Sequence, residues 1–360
     1  MRRYKNLLKL LLVCNFIFIL VVAKLGFDLN QEQSLLEVSH SISSQKNNHA
    51  QSSTKKVIAV GKTVGIYVNT NGILVIDTGE VTDEHGALVA PSKDRLIPGD
   101  YIFSLNHENV HTKKELIDKI MNCSGETLIF GVKRNNEKIE VAVQPVETEL
   151  NTYKVGIWVR DDLQGLGTVT YIDDSHFGAL GHSINDTDTG KLLNVSDGQL
   201  YEANIFGLKK GKSGEPGVIE GMITYDTNKV VGSIDTNSNY GIFGYVDHAF
   251  VNNLHEKEIE VADKKDVKKG EAYIQSYVSG EKKQYKIEIT DIRRNKNGDM
   301  EMELKVKDKA LLSLTGGIIQ GMSGSPVLQN GRIVGAVTHV FVDDPTRGYA
   351  IFIEEMLEDN

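Results

Sequence analysis

From Val155 almost to the end, the chain is written in short apolar runs broken by glycine and polar residues: "GTVTYI", "KVVGSI", "YGIFGYV", "KKQYKIEITDI", "EMELKVK", "GRIVGAVTHVFV". Each run is long enough for one strand and too short for a helix. No helix-length amphipathic pattern intervenes until "IFIEEMLE" near the C-terminus. Many short strands joined by tight turns predict a sandwich or a barrel. The 34 glycines and only 6 prolines agree with a chain of many turns and many strands.

The 360 residues suggest two or three domains, and 40% apolar with 25% charged residues is ordinary for a soluble globular protein. The net charge of -9 argues against a nucleic-acid partner, because phosphate binding needs a basic surface. Neither Cys14 nor Cys123 has metal-site or redox-pair spacing, so no metal or cofactor is expected.

The N-terminus reads as an address. "MRRYKNLLK" supplies Arg2, Arg3, Lys5 and Lys9, and "LLLVCNFIFILVVA" is then apolar except for Asn15. Positive charge before a short apolar run predicts an export signal or membrane anchor over residues 1–27, with everything after Lys24 outside the cytoplasm. Residues 28–54 are rich in Ser, Gln and Asn and read as a flexible tether.

Residues 55–147 read strand, loop, strands, turn, strand, helix, strands. Asn71-Gly72 is a hairpin signal, Pro98-Gly99-Asp100 a turn, "TKKELIDKIM" a helix with Leu116, Ile117 and Ile120 on one side, and Asn135-Asn136 the turn of a closing hairpin. This order resembles a PDZ domain of the bacterial, protease-associated kind, a small α/β module. In that family, backbone amides of a loop bind a peptide carboxylate. The matching segment here is Thr63, Val64, Gly65 and Ile66, and a peptide would add as a strand between it and the helix.

The second region, 155–360, carries the chemistry. In "GMSGSP", Ser323 is either a nucleophile or part of a polar turn. No helix begins after it, since Asn330-Gly331 marks a hairpin, so the strand-to-helix elbow of serine esterases is disfavoured. A serine in a glycine loop entering a barrel strand is the alternative, with the amides of Gly321 and Ser323 as an oxyanion hole. That loop fits the wider Gly-x-Ser-Gly-x-Pro pattern of chymotrypsin-like proteases. Among ten histidines, His182 in "FGALGHSIND" stands at the end of a small-residue strand, 141 positions before Ser323. His339, in "GAVTHVF", faces either the cleft or the core. The order of His182 and Ser323 suits one member from each of two barrels.

The PDZ-like region, "VGIWVRDDLQGLGTVTYID", "FGALGHSIND", "NYGIFG" and "GGIIQGMSGSPVLQNGRIVGAVTHVFVDDPTRGYAIFIEEML" together resemble the stage IV sporulation protein B peptidase family of endospore-forming bacteria. The likeness runs from about residue 55 to the C-terminus. It implies a mainly β fold, a chymotrypsin-like double β-barrel after a membrane anchor and a PDZ domain. It also implies a serine endopeptidase with Ser323 as nucleophile, His182 as base and Asp308 as the orienting acid; Asp186 and Asp235 are physical competitors for that last role. The implied work is signalling between forespore and mother cell: cleavage of a membrane-bound regulator of an intramembrane metalloprotease, and of the chain itself. A non-catalytic PDZ scaffold and an HtrA-like quality-control protease are the rival readings.

Overall fold

The computed structural model describes residues 55–294 and 298–359. The expected anchor and tether, residues 1–54, lie outside them. Lys55–Asn360 forms one compact unit. Among the described residues, no helix is long and apolar enough to cross a membrane.

Strand β1 (Lys56–Ala59) leads into β2 (Thr63–Thr78), a single long strand. Then follow β3 (Tyr101–Leu105), α1 (Lys113–Met121), β4 (Leu128–Arg134) and β5 (Glu137–Val143). A second long strand, β6 (Ile157–Asp173), precedes β7 (His176–Ala179), β8 (Val195–Lys209), β9 (Val218–Ile223), β10 (Val230–Ser238) and β11 (Gly241–Val246). Helix α2 (His248–Leu254) and β12 (Glu258–Glu260) lead to β13 (Gly270–Ser276), β14 (Lys283–Arg294), β15 (Met300–Val306) and α3 (Lys309–Thr315). The chain ends with β16 (Pro326–Gln329), β17 (Arg332–Val340), β18 (Arg347–Phe352) and α4 (Ile353–Glu358).

Pairing closes two six-stranded antiparallel barrels. The first runs β2-β6-β7-β11-β10-β8 and returns to β2. The second runs β13-β14-β15-β18-β17-β16 and returns to β13. Closure removes the open strand edges that a sheet of this size would otherwise expose. Inward-pointing residues fill each barrel: Val64, Ile66, Val68, Val169 and Leu200 in the first, Ile274, Ile287, Leu304 and Val337 in the second. A third cluster joins them, with Ala59 of β1, Tyr171, Ala336 and Met356. β1 is stitched between β6 and β12, so the first described strand helps to seal the two barrels together.

The small domain expected at 55–147 is not a separate module ahead of the peptidase. It is an insertion between two barrel strands, and it shares the first of them. β2 does not turn back at Asn71-Gly72. It passes through, with Gly72 at φ 103°, and continues into the insert's sheet, where Ile73 pairs with Ile102 of β3. The alternation of a strand explains the apolar run that follows. Ile73 and Val75 enter the insert's core beside Leu116, Phe130 and Val143, while Leu74 faces the first barrel's core. A strand covered on both faces reads as continuously apolar. The β4–β5 hairpin turns at Asn135-Asn136 as expected, with φ 49° and 69°. At the expected Pro98-Gly99-Asp100 turn, buried Asp100 receives two hydrogen bonds from Arg134, each 2.7 Å.

The expected peptide-binding loop is corrected at the same place. Thr63, Val64, Gly65 and Ile66 open β2: Thr63 pairs with Thr168 of β6, and Val64, Gly65 and Ile66 are paired on both edges, Gly65 facing Leu166 of β6 on one side and Tyr201 of β8 on the other. Their amides belong to the barrel ladder and cannot take up a peptide carboxylate.

Candidate active site

Ser323 stands on a loop whose entry is fixed by α3. That helix ends at Gly316 in the left-handed conformation, φ 77°. Ile318 and Ile319, both buried, anchor the next stretch, and Gly321 and Gly324 take φ 96° and 93°. At Gly324 a β-carbon would lie 2.1 Å from the Thr168 carbonyl oxygen, so only glycine fits.

The loop's peptide planes are set by their carbonyls. Gln320 O accepts from Ile219 N at 2.9 Å, and Met322 O accepts from Ser325 N at 2.9 Å. In a trans peptide the following N–H points the other way. The amides of Gly321 and Ser323 are therefore turned away from these partners, and neither donates to another group among the described residues. The carbonyls of Gly321 and Ser323 are held from the first barrel by one residue, Thr168. Its hydroxyl donates to Gly321 O at 2.7 Å and its amide to Ser323 O at 3.1 Å.

His182 arrives from the first barrel just after β7. Leu180 and Gly181 take φ 69° and 70° in succession. A left-handed leucine is uncommon and carries strain of roughly 1–3 kcal/mol, a cost met at functional sites more than elsewhere. This double turn carries the chain out of the barrel and sets the imidazole over the second barrel. His182 Nδ1 lies 2.8 Å from the carbonyl oxygen of Ser183. A carbonyl only accepts, so Nδ1 carries the proton and Nε2 is left as an acceptor. The ring centroid lies 4.9 Å from that of His339 on β17. Burial lowers the His182 pKa to about 4; the Ser183 carbonyl opposes that shift and His339 adds to it. His339 is lowered too, by desolvation.

Ser323, His182, His339 and Gly321 line one cavity of about 440 Å³ at the junction of the barrels. In this conformation the Ser323 hydroxyl donates to Thr338 O at 2.7 Å rather than to His182. His182 and His339 also line a second cavity, of about 570 Å³, with Tyr240, Asp299 and Glu301. Tyr240 donates to Asp299 at 3.0 Å, and Glu301 pairs with Arg293 at 3.2 Å.

The expected acid is placed elsewhere. Asp308 is the N-cap of α3: its Oδ1 accepts from Ala310 N and Leu311 N at 2.9 and 3.0 Å, and Oδ2 lies 3.4 Å from Lys286 N. An N-cap carboxylate satisfies amides that the helix leaves without partners. That use occupies Asp308 in this structure, and the His182 Nδ1 position expected for it is taken by Ser183 O. The competitors are also engaged away from the imidazole. Asp186 is buried against Arg160 and caps its own turn, and exposed Asp235 lines a different cavity. Sequence reasoning missed Thr168, Thr338 and the strained Leu180. The first two look like any threonine in a barrel strand, and nothing local marks Leu180 as left-handed.

Two closed barrels that present a serine and a histidine to one cleft are the architecture of a serine peptidase. The chain belongs to the SpoIVB peptidase S55 family, whose model matches residues 151–357, more than half of its length. It is also similar to the solved Rv3671c protease of M. tuberculosis. The active form is 15% identical, at a TM-score of 0.30 over 55% of this chain and 74% of that one. The inactive form is 14% identical, at 0.29 over 54% and 82%. A curated Helicobacter pylori protein named "Putative zinc metalloprotease" is 29% identical over 110 residues, 28% of this chain, and the match spans only 30% of that protein.

Proposed function

We propose that this chain hydrolyses peptide bonds by acyl transfer on a chymotrypsin-like double barrel, with Ser323 as nucleophile and His182 as general base. The observation that carries the reading is the pair of unengaged amides, Gly321 and Ser323, in the cavity that holds both side chains. Rotation about the Ser323 side-chain bond moves the hydroxyl from Thr338 O towards His182 Nε2. The hydroxyl oxygen then attacks the scissile carbonyl carbon while its proton passes to Nε2. The carbonyl oxygen gains negative charge and is stabilised by the two amides, each typically worth about 2.7–4 kcal/mol of barrier. Collapse breaks the C–N bond, with the proton on Nε2 going to the leaving amine. Water, activated by the same nitrogen, clears the acyl-enzyme. The Ser183 carbonyl holds the imidazole in the tautomer that this cycle needs.

Membership of the family supports a narrower role: an exported peptidase, tethered through residues 1–27, that cuts itself in the tether and cuts a membrane-bound regulator during sporulation. The PDZ resemblance supports partner docking by the insert.

The test is labelling with a fluorophosphonate. Wild type should be labelled on Ser323 and should cleave a quenched peptide, and Ser323→Ala should do neither while keeping its unfolding midpoint. A folded wild type that neither labels nor cleaves would mean a non-catalytic scaffold.

A further inference from the structure

The cavity at Ser323 is built from unlike parts. Ile318 and Ile319 form its buried floor beside the amide of Gly321, and Leu166 comes from β6 of the first barrel. Val340 ends β17, Val342 lies just beyond, and Pro216 comes from the tip of the β8–β9 hairpin. Among the described residues, no Asp, Glu, Lys or Arg lines this cavity. The neighbouring cavity on the far side of the shared residues does carry carboxylates, Asp299 and Glu301. The absence of charge is therefore local to the serine's cavity.

We infer that this cavity receives the side chain of the residue whose carbonyl is attacked, and that it selects an uncharged, apolar one of the size of Val, Leu, Met or Phe. The inference rests on the proposed acyl transfer. With the carbonyl oxygen on the amides of Gly321 and Ser323, the adjoining α-carbon has to sit within this cavity, since Gly321 and Ser323 both border it. β17 supports the placement. Its ladder with β16 ends at Ala336 and its backbone bonds to the serine loop end at Val337, so Thr338–Val340 run past Ser323 with backbone pairing to β18 on the other edge alone, the Thr338 carbonyl holding the Ser323 hydroxyl. A substrate strand laid along that edge directs alternate side chains to one face, here towards Ile319 and Val342. A charged side chain would lose its hydration there with no partner in return. An apolar one gains by burial, and pockets of this kind discriminate by about 10- to 200-fold per methylene.

The experiment uses quenched peptides that differ only at the residue before the cut, as Leu, Val, Phe, Lys or Asp. Each is assayed with wild type and with Val342→Asp, a change at a surface-exposed wall position. Fluorophosphonate labelling of both is run in parallel. Leu, Val or Phe should exceed Lys and Asp in kcat/KM by roughly 100-fold or more in wild type, and Val342→Asp should raise Lys relative to Leu by about tenfold. An enzyme that labels and cleaves but treats Lys or Asp as well as Leu overturns this inference and leaves acyl transfer standing. An unchanged Lys-to-Leu ratio in a labelled Val342→Asp enzyme also overturns it. A wild type that is neither labelled nor active overturns both.

Discussion

At Asp308 one side chain has two readings with different consequences. As an orienting acid it would need its charge. As an N-cap it needs only an acceptor, which asparagine supplies about as well. The cap fixes the start of α3, and the end of α3 delivers Ile318 to Gly321, so Asp308 acts on the loop that carries Ser323 through the helix. Asp308→Asn should therefore retain most of wild-type kcat, whereas Asp308→Ala should lose about 1 kcal/mol of stability and part of its activity. Steady-state kinetics and denaturant midpoints on both variants check this. A dead but stable Asp308→Asn would return the residue to the imidazole. His182 makes a second prediction. A general base must be neutral, and a pKa of about 4 keeps His182 neutral far below the usual histidine range. The acid limb of kcat/KM should fall near pH 4 to 5 instead of near pH 6.5, and a limb at the ordinary value would overturn the assignment. Linkage has the same sign. The unfolded chain binds the proton at an ordinary pKa and the folded chain does not. Stability from this group is thus complete above about pH 6.5 and declines as pH falls towards 4.

Among the elements, the β8–β9 hairpin does most to hold the site's shape. It leaves the first barrel and lays its tip across the second. Gln320 N donates to Gly217 O at 2.8 Å, Gly214 N to Val342 O at 2.9 Å and Gly211 N to Thr315 O at 2.8 Å. The tip thus grips the end of α3, the residue before Gly321 and a wall of the cavity at once. Gly217 is packed by backbone on two sides: a β-carbon there would lie 2.5 Å from Gly211 N and from Lys209 O. Gly217→Ala must lift the tip and release Gln320. Misplacing a catalytic group by about an ångström can cost roughly 100-fold, so kcat should fall by about 10- to 100-fold while the thermal midpoint, set by the barrels, moves little. Unchanged kcat in a folded variant would mean that the hairpin is only cover.

Over the whole molecule, what the sequence made legible follows the range of the forces involved. The hairpins at Asn135-Asn136 and Asn330-Gly331 are local, because two adjacent residues with positive φ define the turn wherever the chain goes. Asn71-Gly72 carries the same signal and makes no hairpin. There, barrel closure supplies β2 with partners from β6 and β8, more than eighty residues away along the chain, and the long-range pairing outweighs the local preference. That Ser323 and His182 border one cavity was readable in part, because glycine and serine spacing is itself the chemistry of the loop. The grip of Thr168 on that loop was not, because it depends on how one barrel seats against the other. The capping bonds of Asp308 were not legible, because a family position fixes a residue's identity without fixing what its oxygens touch.

The sharing of β2 also bears on when the protein becomes competent. Synthesis proceeds from the N-terminus, so β2 emerges before its partners and waits. Its flanking strands come only with Ile157–Asp173 and Val195–Lys209, and Ser323 later still. Contacts so distant along the chain form slowly, since the loop between them must be closed before pairing rewards it. A chain interrupted anywhere before the second barrel therefore has neither Ser323 nor the loop that carries it, and one still being made has no complete cleft in which to use them. The order of synthesis keeps this hydrolase silent until its second barrel has been made, without a separate inhibitor.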